Sequence, residues 1–211
     1  DQYIERLRGL YQKRFESLGI THIKGIGRLS AAHTVEVDKS AYTAKHIIIA
    51  TGGKAYMPDI PGIEHALNSD DFFQLNTLPK KVAIVGSGYI AVEIAGVLNA
   101  LGSETHLFCR KEFPLSSFDL DIQKQFNQQA QQDGLKIHNF HTPSRLNNAN
   151  SISFDTETYD GFDAIFFATG RQANIESIGL AQAGIEKTTH GKIQTDEFQN
   201  TTLAQHYALG D

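Results

Sequence analysis

Cysteine occurs once in this sequence of 211 residues, as Cys109, so no disulfide can close within the chain and a reducing, cytoplasmic setting is expected. Long apolar runs are missing. None approaches the ~20 residues of a membrane span, and no signal-peptide pattern opens the sequence, so no membrane partner is expected. Basic residues form no stripe longer than a few positions, and with a formal net charge of −5 this argues against a nucleic-acid partner. The nine histidines lack the spacing of metal ligands, and no metal site is expected. Without a second thiol beside it, Cys109 reads as a small filler at a strand end rather than a nucleophile. What is present, 40% hydrophobic and 20% charged residues, is the balance of a soluble globular protein with chain enough for one large or two small domains.

The most informative stretch follows Lys80 and Lys81. Val82, Ala83, Ile84 and Val85 form an apolar run that stops at Gly86, the pattern of a buried parallel strand. Ile90, Ile94, Val97, Leu98 and Leu101 then recur at helical spacing until Gly102, which predicts a helix over 90–101. The turn between them is Gly86-Ser87-Gly88-Tyr89-Ile90-Ala91, a G-x-G-x-x-A sequence. At a strand-to-helix junction this suits a dinucleotide: Gly86 permits the tight bend, Gly88 lets the backbone approach a pyrophosphate, and Ala91 keeps the helix close to the sheet. The N–H groups of the first helical turn face the phosphates. A second strand is predicted over 104–109. Its end is where an NAD-binding unit would place a carboxylate for the ribose 2′-hydroxyl, and here stand Cys109, Arg110 and Lys111. A cation pair suits a 2′-phosphate, which a guanidinium grips through two parallel hydrogen bonds, so NADPH is expected rather than NADH. A solvated basic turn is the alternative.

Elsewhere the periodicities predict an amphipathic helix over 2–18 closed by Gly19, and strands over 20–28, 34–37 and 42–50 forming a small antiparallel sheet. Pro58, Pro61 and Gly62 make the next stretch a linker. Ser69 can cap a short helix reaching Leu75, and Asp119 opens a helix that runs to Asp133. Further strands are predicted over 135–138, near Arg145, and over 151–156, 162–168 and 207–209. The ending Ala-Thr-Gly occurs twice, from Ala50 and from Ala168. If the two endings flank an insertion, residues 63–171 form a nicotinamide-nucleotide domain set into a second domain, to which 1–62 and 172–211 belong. Two unrelated loops are the alternative. Both ends of the sequence read as cuts within a longer chain.

Taken together these motifs resemble the flavin-dependent class I pyridine nucleotide–disulfide oxidoreductases, and within them the glutathione reductases. The matching stretches are Ile49-Ala50-Thr51-Gly52-Gly53, Pro58-Asp59-Ile60-Pro61-Gly62, Ser69-Asp70-Asp71-Phe72-Phe73, residues 82–98, Ala168-Thr169-Gly170-Arg171 and Tyr207-Ala208-Leu209-Gly210-Asp211. The resemblance covers essentially the whole chain and is most specific in its middle third. It implies an α/β fold in which a Rossmann-like nicotinamide-binding domain, a parallel sheet plus a β-meander, is inserted into part of an FAD-binding domain.

The resemblance also implies roles. Gly86, Ser87, Gly88, Tyr89, Ile90 and Glu93 would line NADPH, with the Tyr89 ring over the flavin and moving as NADPH arrives, and Glu93 paired with a lysine outside this chain. Arg110, with Lys111, would hold the 2′-phosphate, and Gly170 would touch NADPH from a strand end. Gly27, Thr51, Gly52, Arg171 and Asp211 would contact FAD. The pattern differs at Ser116, which stands where the resemblance expects a second phosphate-binding arginine. Unless Lys111 compensates, NADPH preference loses a charge-assisted partner, about 1.5–3 kcal/mol.

The redox-active Cys-x4-Cys pair would lie before residue 1, and the acid/base histidine and dimer-forming domain beyond residue 211. No catalytic residue is therefore expected in this segment, and it is not expected to reduce glutathione disulfide alone. The parent would be a homodimeric reductase of glutathione disulfide. A dihydrolipoamide dehydrogenase or mercuric reductase type, a stand-alone NADP(H)-binding module and a nonfunctional fragment are the alternatives.

Overall fold

The computed structural model describes residues 2–155 and 157–210. Two compact units emerge, one from the chain up to Thr51 together with Asn174–Gly210, the other from Gly52–Ala173.

The first unit begins with helix α1 (Gln2–Ser17), of which no residue is buried. The strand expected over 20–28 forms later, as β1 (Gly27–Ala31). Gly25, at φ +150°, and the exposed Ile26 interrupt the earlier stretch, and pairing starts at Gly27, opposite Val37, on the strand that buries Leu29. Strands β2 (Thr34–Val37) and β3 (Ser40–Thr43) complete an antiparallel meander in the order β1-β2-β3, turning at Asp38 with φ 54°. The long strand expected over 42–50 breaks in two. Its second half, β4 (Ile47–Ile49), leaves the meander and buries Ile47 and Ile49.

In the second unit β5 (Gly53–Ala55) comes first, inside the stretch expected to be an irregular linker. After a 3-10 turn at Ile63–His65, α2 (Ser69–Phe72) is capped by Asn68 rather than Ser69. The Asn68 side chain accepts the Asp70 N–H at 2.7 Å, and Asp71 accepts the Asn68 N–H at 2.8 Å, a reciprocal capping box. Then follow β6 (Lys81–Val85), α3 (Tyr89–Ala100), β7 (Glu104–Phe108), α4 (Leu120–Gln132) and β8 (Lys136–His138). A meander of β9 (Pro143–Asn148), β10 (Ser151–Phe154) and β11 (Thr158–Asp160) precedes β12 (Ala164–Phe167) and β13 (Arg171–Ala173). Strand β13 pairs antiparallel with β5.

The central sheet has the order β12-β6-β7-β8 and is parallel throughout. Strands β6, β7 and β8 step to one side, after which the chain returns to the other side of β6 for β12. The strand order therefore reverses between β6 and β12, the kind of position where open α/β sheets bind ligands at their carboxyl ends.

Alternate side chains of β6 serve opposite layers. Val82 and Ile84 pack with Ala91, Ile94, Ala95 and Leu98 of α3, while Ala83 and Val85 pack with Leu146, Ile152 and Phe154 of the meander. Covering both faces explains why β6 and β12 read as unbroken apolar runs. Each fully buried Ile or Phe contributes about 1.5–3 kcal/mol through removal of apolar area from water. This unit is a Rossmann-like α/β fold.

The returning segment completes the first unit with α5 (Leu180–Ala183) and β14 (His206–Ala208), the latter parallel to β4. Gly179, at φ +81°, allows the close approach to β1: a Cβ there would lie 2.2 Å from the Leu29 carbonyl oxygen, and the Leu29 N–H donates to the Ile178 carbonyl at 2.8 Å.

Candidate functional site

The candidate site lies along the carboxyl edge of the parallel sheet. At the end of β6, Gly86 has φ +144°, and a Cβ on it would sit 2.3 Å from the Ala168 carbonyl oxygen at the end of β12. Only glycine fits. The Gly86 N–H donates to the Phe108 carbonyl at 3.0 Å, which ties the turn to β7. Gly88 is the N-cap of α3 and supplies no side-chain cap; the Val92 N–H donates to its carbonyl at 3.2 Å. The N–H groups ahead of Val92 on the helix have no intrahelical acceptor and face outward from its positive end. A Cβ at Gly88 would meet open space, Ala91 is wholly buried beneath the turn, and Tyr89 is 56% exposed. Ile90 is half-buried, and Glu93 is exposed one turn further along the helix.

Beyond β7 the chain places Cys109, Arg110 and Lys111 in sharply different surroundings. Cys109 is buried, its thiol pushed up to about 12 by burial, and its Sγ lies 3.8 Å from the Gly86 carbonyl oxygen. Arg110 and Lys111 are exposed and make no hydrogen bond or ion pair with any described residue. The loop then folds back. Leu115, at φ +57°, donates its N–H to the Ser87 carbonyl at 2.6 Å, clipping the basic loop to the glycine turn, and Ser116 beside it is half-buried. Asp119 caps α4 by accepting the Asp121 N–H at 2.9 Å, a structural use of that carboxylate.

The end of β8 wraps the same position. The Cys109 N–H donates to the His138 carbonyl at 2.8 Å, and the His141 N–H donates to the Cys109 carbonyl at 2.9 Å. Between them a turn carries Phe140, at φ +62° and 73% exposed. At the end of β12 the Tyr56 N–H donates to the Gly170 carbonyl at 2.9 Å, and the Thr169 hydroxyl donates to the Tyr56 carbonyl at 3.0 Å. Gly170 is exposed at φ +142°. Gly86, Ser87, Gly88, Tyr89, Ile90, Arg110, Lys111 and Gly170 thus share one edge, with Glu93 following on α3.

The residues expected to contact FAD divide between the units. Gly27, half-buried at the start of β1, and Thr51, exposed beyond β4, belong to the first. Gly52, exposed at φ +64°, and Arg171 belong to the second, where the Arg171 guanidinium donates to the Gly53 carbonyl across the β5–β13 pair. Asp211 lies outside the described residues.

On the meander face the structure assembles histidines that appear scattered in sequence. His106 and His138 stack with their ring planes 6° apart, and His138 stacks on Phe108 at 4.5 Å between centroids. Glu104 Oε1 accepts from Lys136 Nζ at 2.7 Å and from His106 Nε2 at 2.9 Å. These hydrogen bonds, first His106's and then that of Lys136, bring the Glu104 carboxyl down to about 2. His106 Nδ1 lies 3.0 Å from His138 Nε2, so with both rings neutral the second donates to the first. Burial lowers both imidazoles, His138 to about 4. His141 Nδ1 donates to the Asn139 carbonyl at 2.7 Å, while its Nε2 lies 3.2 Å from Glu157 Oε2 and 3.1 Å from the Tyr159 hydroxyl. That hydroxyl donates to Glu157 at 2.6 Å, and burial followed by this bond pushes Tyr159 up to about 12. No group of three or more His, Cys, Asp or Glu suited to a metal ion occurs among the described residues.

The sequence matches the pyridine nucleotide-disulphide oxidoreductase family over residues 2–211. The chain belongs to that family. Among its relatives it is 39% identical over 212 residues to "Glutathione reductase, chloroplastic/mitochondrial" of Pisum sativum, covering 99% of this chain and 38% of the relative. It is 35% identical over 228 residues to "Glutathione reductase" of Yarrowia lipolytica, covering 100% of this chain and 48% of the relative. The chain therefore spans less than half the length of either. The solved structure of the HOCl-induced flavoprotein disulfide reductase RclA from Escherichia coli superposes with a TM-score of 0.90 at 26% identity, covering 100% of this chain and 51% of that one. The family's α/β combination of a Rossmann-like NAD(P)-binding fold with FAD-binding topology is therefore the fold of this chain, and family membership implies NADPH and FAD as cofactors. No helix among the described residues is long and apolar enough to cross a membrane.

Proposed function

We propose that the chain supplies the NADP(H)-binding domain, residues 63–171, and flanking parts of the flavin domain, residues 1–62 and 172–211, of an NADPH-dependent flavoprotein disulfide reductase acting on glutathione disulfide. The observation that carries the NADPH reading is the end of β7: a buried Cys109 where NAD selection needs a carboxylate, then Arg110 and Lys111 exposed and uncompensated. Two free cations beside a glycine turn fit a 2′-phosphate, and Gly88 leaves open space where a pyrophosphate could approach the backbone.

In this reading Gly86 and Ser87 hold the turn, Tyr89 gates the approach to the flavin, and Glu93 pairs with a lysine elsewhere in the enzyme. Gly170 borders the nicotinamide half, and Gly27, Thr51, Gly52, Arg171 and Asp211 hold FAD. Held there, FAD would supply the two-electron relay between NADPH and a disulfide. Glutathione disulfide as substrate is supported by the names of the two sequence relatives, and a reducing, cytoplasmic setting by the single cysteine, while a homodimeric parent follows from the family resemblance alone. The likeness to RclA favours a second reading, a disulfide reductase with a different substrate.

Calorimetric titration of the chain with NADPH and NADH tests the cofactor choice. NADPH is expected to bind at least tenfold more tightly, with the advantage lost in Arg110→Ala. Equal affinities overturn the reading in favour of an NAD-linked member. Turnover of glutathione disulfide by the whole enzyme separates the two substrate readings.

A further inference from the structure

The loop that follows β7 is fastened at two points, and the second is held by a backbone conformation that leucine resists. At the first, the end of β8 brackets Cys109: its N–H donates to the His138 carbonyl at 2.8 Å, and its carbonyl accepts the His141 N–H at 2.9 Å. The second is Leu115. Of the five non-glycine residues with positive φ among those described, Leu115, at φ +57°, is the one that is buried. A side chain of this kind is costly in the left-handed region and persists there only where its surroundings over-determine it.

The backbone on both sides of Leu115 uses that conformation. Its N–H donates to the Ser87 carbonyl at 2.6 Å, and its carbonyl accepts the Phe118 N–H at 2.8 Å, closing the turn that leads to Asp119, the cap of α4. Turning φ to the negative values that leucine prefers reorients the N–H against the carbonyl, so the bond to Ser87 and the turn to Phe118 cannot both survive. The glycine turn does not depend on this clip. Gly86 is fixed by its own N–H bond to the Phe108 carbonyl at 3.0 Å and by its close fit against the Ala168 carbonyl. The basic loop does depend on it. The Arg110 and Lys111 side chains make no hydrogen bond or ion pair with any described residue, so the two fastenings are what fix their place. A loop held at both ends loses little freedom when a ligand arrives, whereas one held at a single end must be ordered by the ligand itself.

We propose that Leu115 is a positioning residue for 2′-phosphate selection: its left-handed backbone, rather than its side chain, fixes Arg110 and Lys111 beside the glycine turn, so that the phosphate distinguishing NADPH from NADH meets cations already in place. The inference rests on the NADPH reading above.

Two substitutions pull backbone and side chain apart. Leu115→Val keeps an apolar side chain for the core, but its β-branch resists positive φ; Leu115→Asn gives up the apolar contact, accepts the left-handed region and keeps the N–H. Calorimetry with NADPH and with NADH, beside a melting curve, reads both. In Leu115→Val the NADPH-to-NADH affinity ratio is expected to fall about three- to tenfold, the size of one hydrogen-bonded anchor, with NADH affinity unchanged. In Leu115→Asn the melting temperature is expected to fall while the ratio stays at that of the unaltered chain. Leu115→Gly, also at ease at positive φ, repeats the asparagine arm should that variant not fold. With Arg110→Ala already in place, most of the Leu115→Val effect is expected to vanish, a dependence that a purely structural role would not produce. If the unaltered chain prefers NADPH through Arg110 but Leu115→Val keeps that preference, or Leu115→Asn loses it, the positioning role is overturned and the NADPH reading stands. Equal affinities for the two nucleotides in the unaltered chain overturn both.

Discussion

Strand β7 is charged at both ends, and the two ends treat that charge in opposite ways. At its amino end Glu104 accepts from Lys136 and from His106, so the carboxylate is satisfied within the fold. At its carboxyl end Arg110 and Lys111 have no partner among the described residues, and the loop that carries them is nevertheless pinned to the glycine turn through Leu115. Compensated charge at one end belongs to the architecture. Uncompensated charge on a fixed frame at the other end is available to a ligand, and the single strand between them makes the contrast a controlled one.

The contrast is broken most severely at the frame itself. Gly86→Ala puts a Cβ against the Ala168 carbonyl at a φ that alanine resists, and is expected to cost ~3 kcal/mol of stability and all nucleotide binding, measured by thermal unfolding and calorimetry. Next in size is Arg110→Ala. It is expected to change stability by less than about 0.5 kcal/mol while costing about 1.5–3 kcal/mol of NADPH affinity, which calorimetry beside a melting curve separates.

Acid probes the compensated end. His106 and His138 are lowered in the folded state by burial, so the unfolded chain takes up more protons once the pH drops below 6.5, and stability falls from there, the His138 contribution being lost towards about 4. The Glu104 contribution has the same sign at lower pH, present above 4.5 and lost as the pH falls through about 2. The melting temperature is therefore expected to decline by on the order of 5 °C between pH 7 and pH 5, and His138→Gln is expected to flatten that slope. Smallest of all is Lys136→Ala, which removes one half-exposed ion pair and is expected to cost about 0.2–1 kcal/mol, less in high salt.

Much of the carboxyl edge is legible in the sequence because its signals are local. The strand, the glycine turn and the helix from Lys81 to Ala100 announce themselves through consecutive residues, and the burial of Cys109 follows from the apolar strand it closes. The amino end of β7 is not legible in the same way. His106 and His138 meet only because β7 and β8 pair in one register, with His106 opposite Lys136 and Phe108 opposite His138, and no local pattern encodes that alignment. Strand β5 is hidden for a similar reason, since three residues beside glycine and proline become a strand only when β13 arrives more than a hundred positions later. The cap of α2 is misread as Ser69 because Asn68 and Ser69 are both good caps, and the reciprocal bond with Asp71 decides between them. Leu115 carries no sequence signal beyond being an apolar residue after Pro114; its positive φ marks it only once the backbone is known.

Cys109 is the one sulfhydryl of a chain whose family is named for disulphide chemistry. Wholly buried and raised to about 12 by that burial, it stays protonated at neutral pH, and the thiolate is the reactive form. It is a poor target for alkylating reagents, hypohalous acids and mixed-disulfide exchange alike. A strand end that would be open to oxidation if its sulfur were exposed is thereby kept chemically quiet.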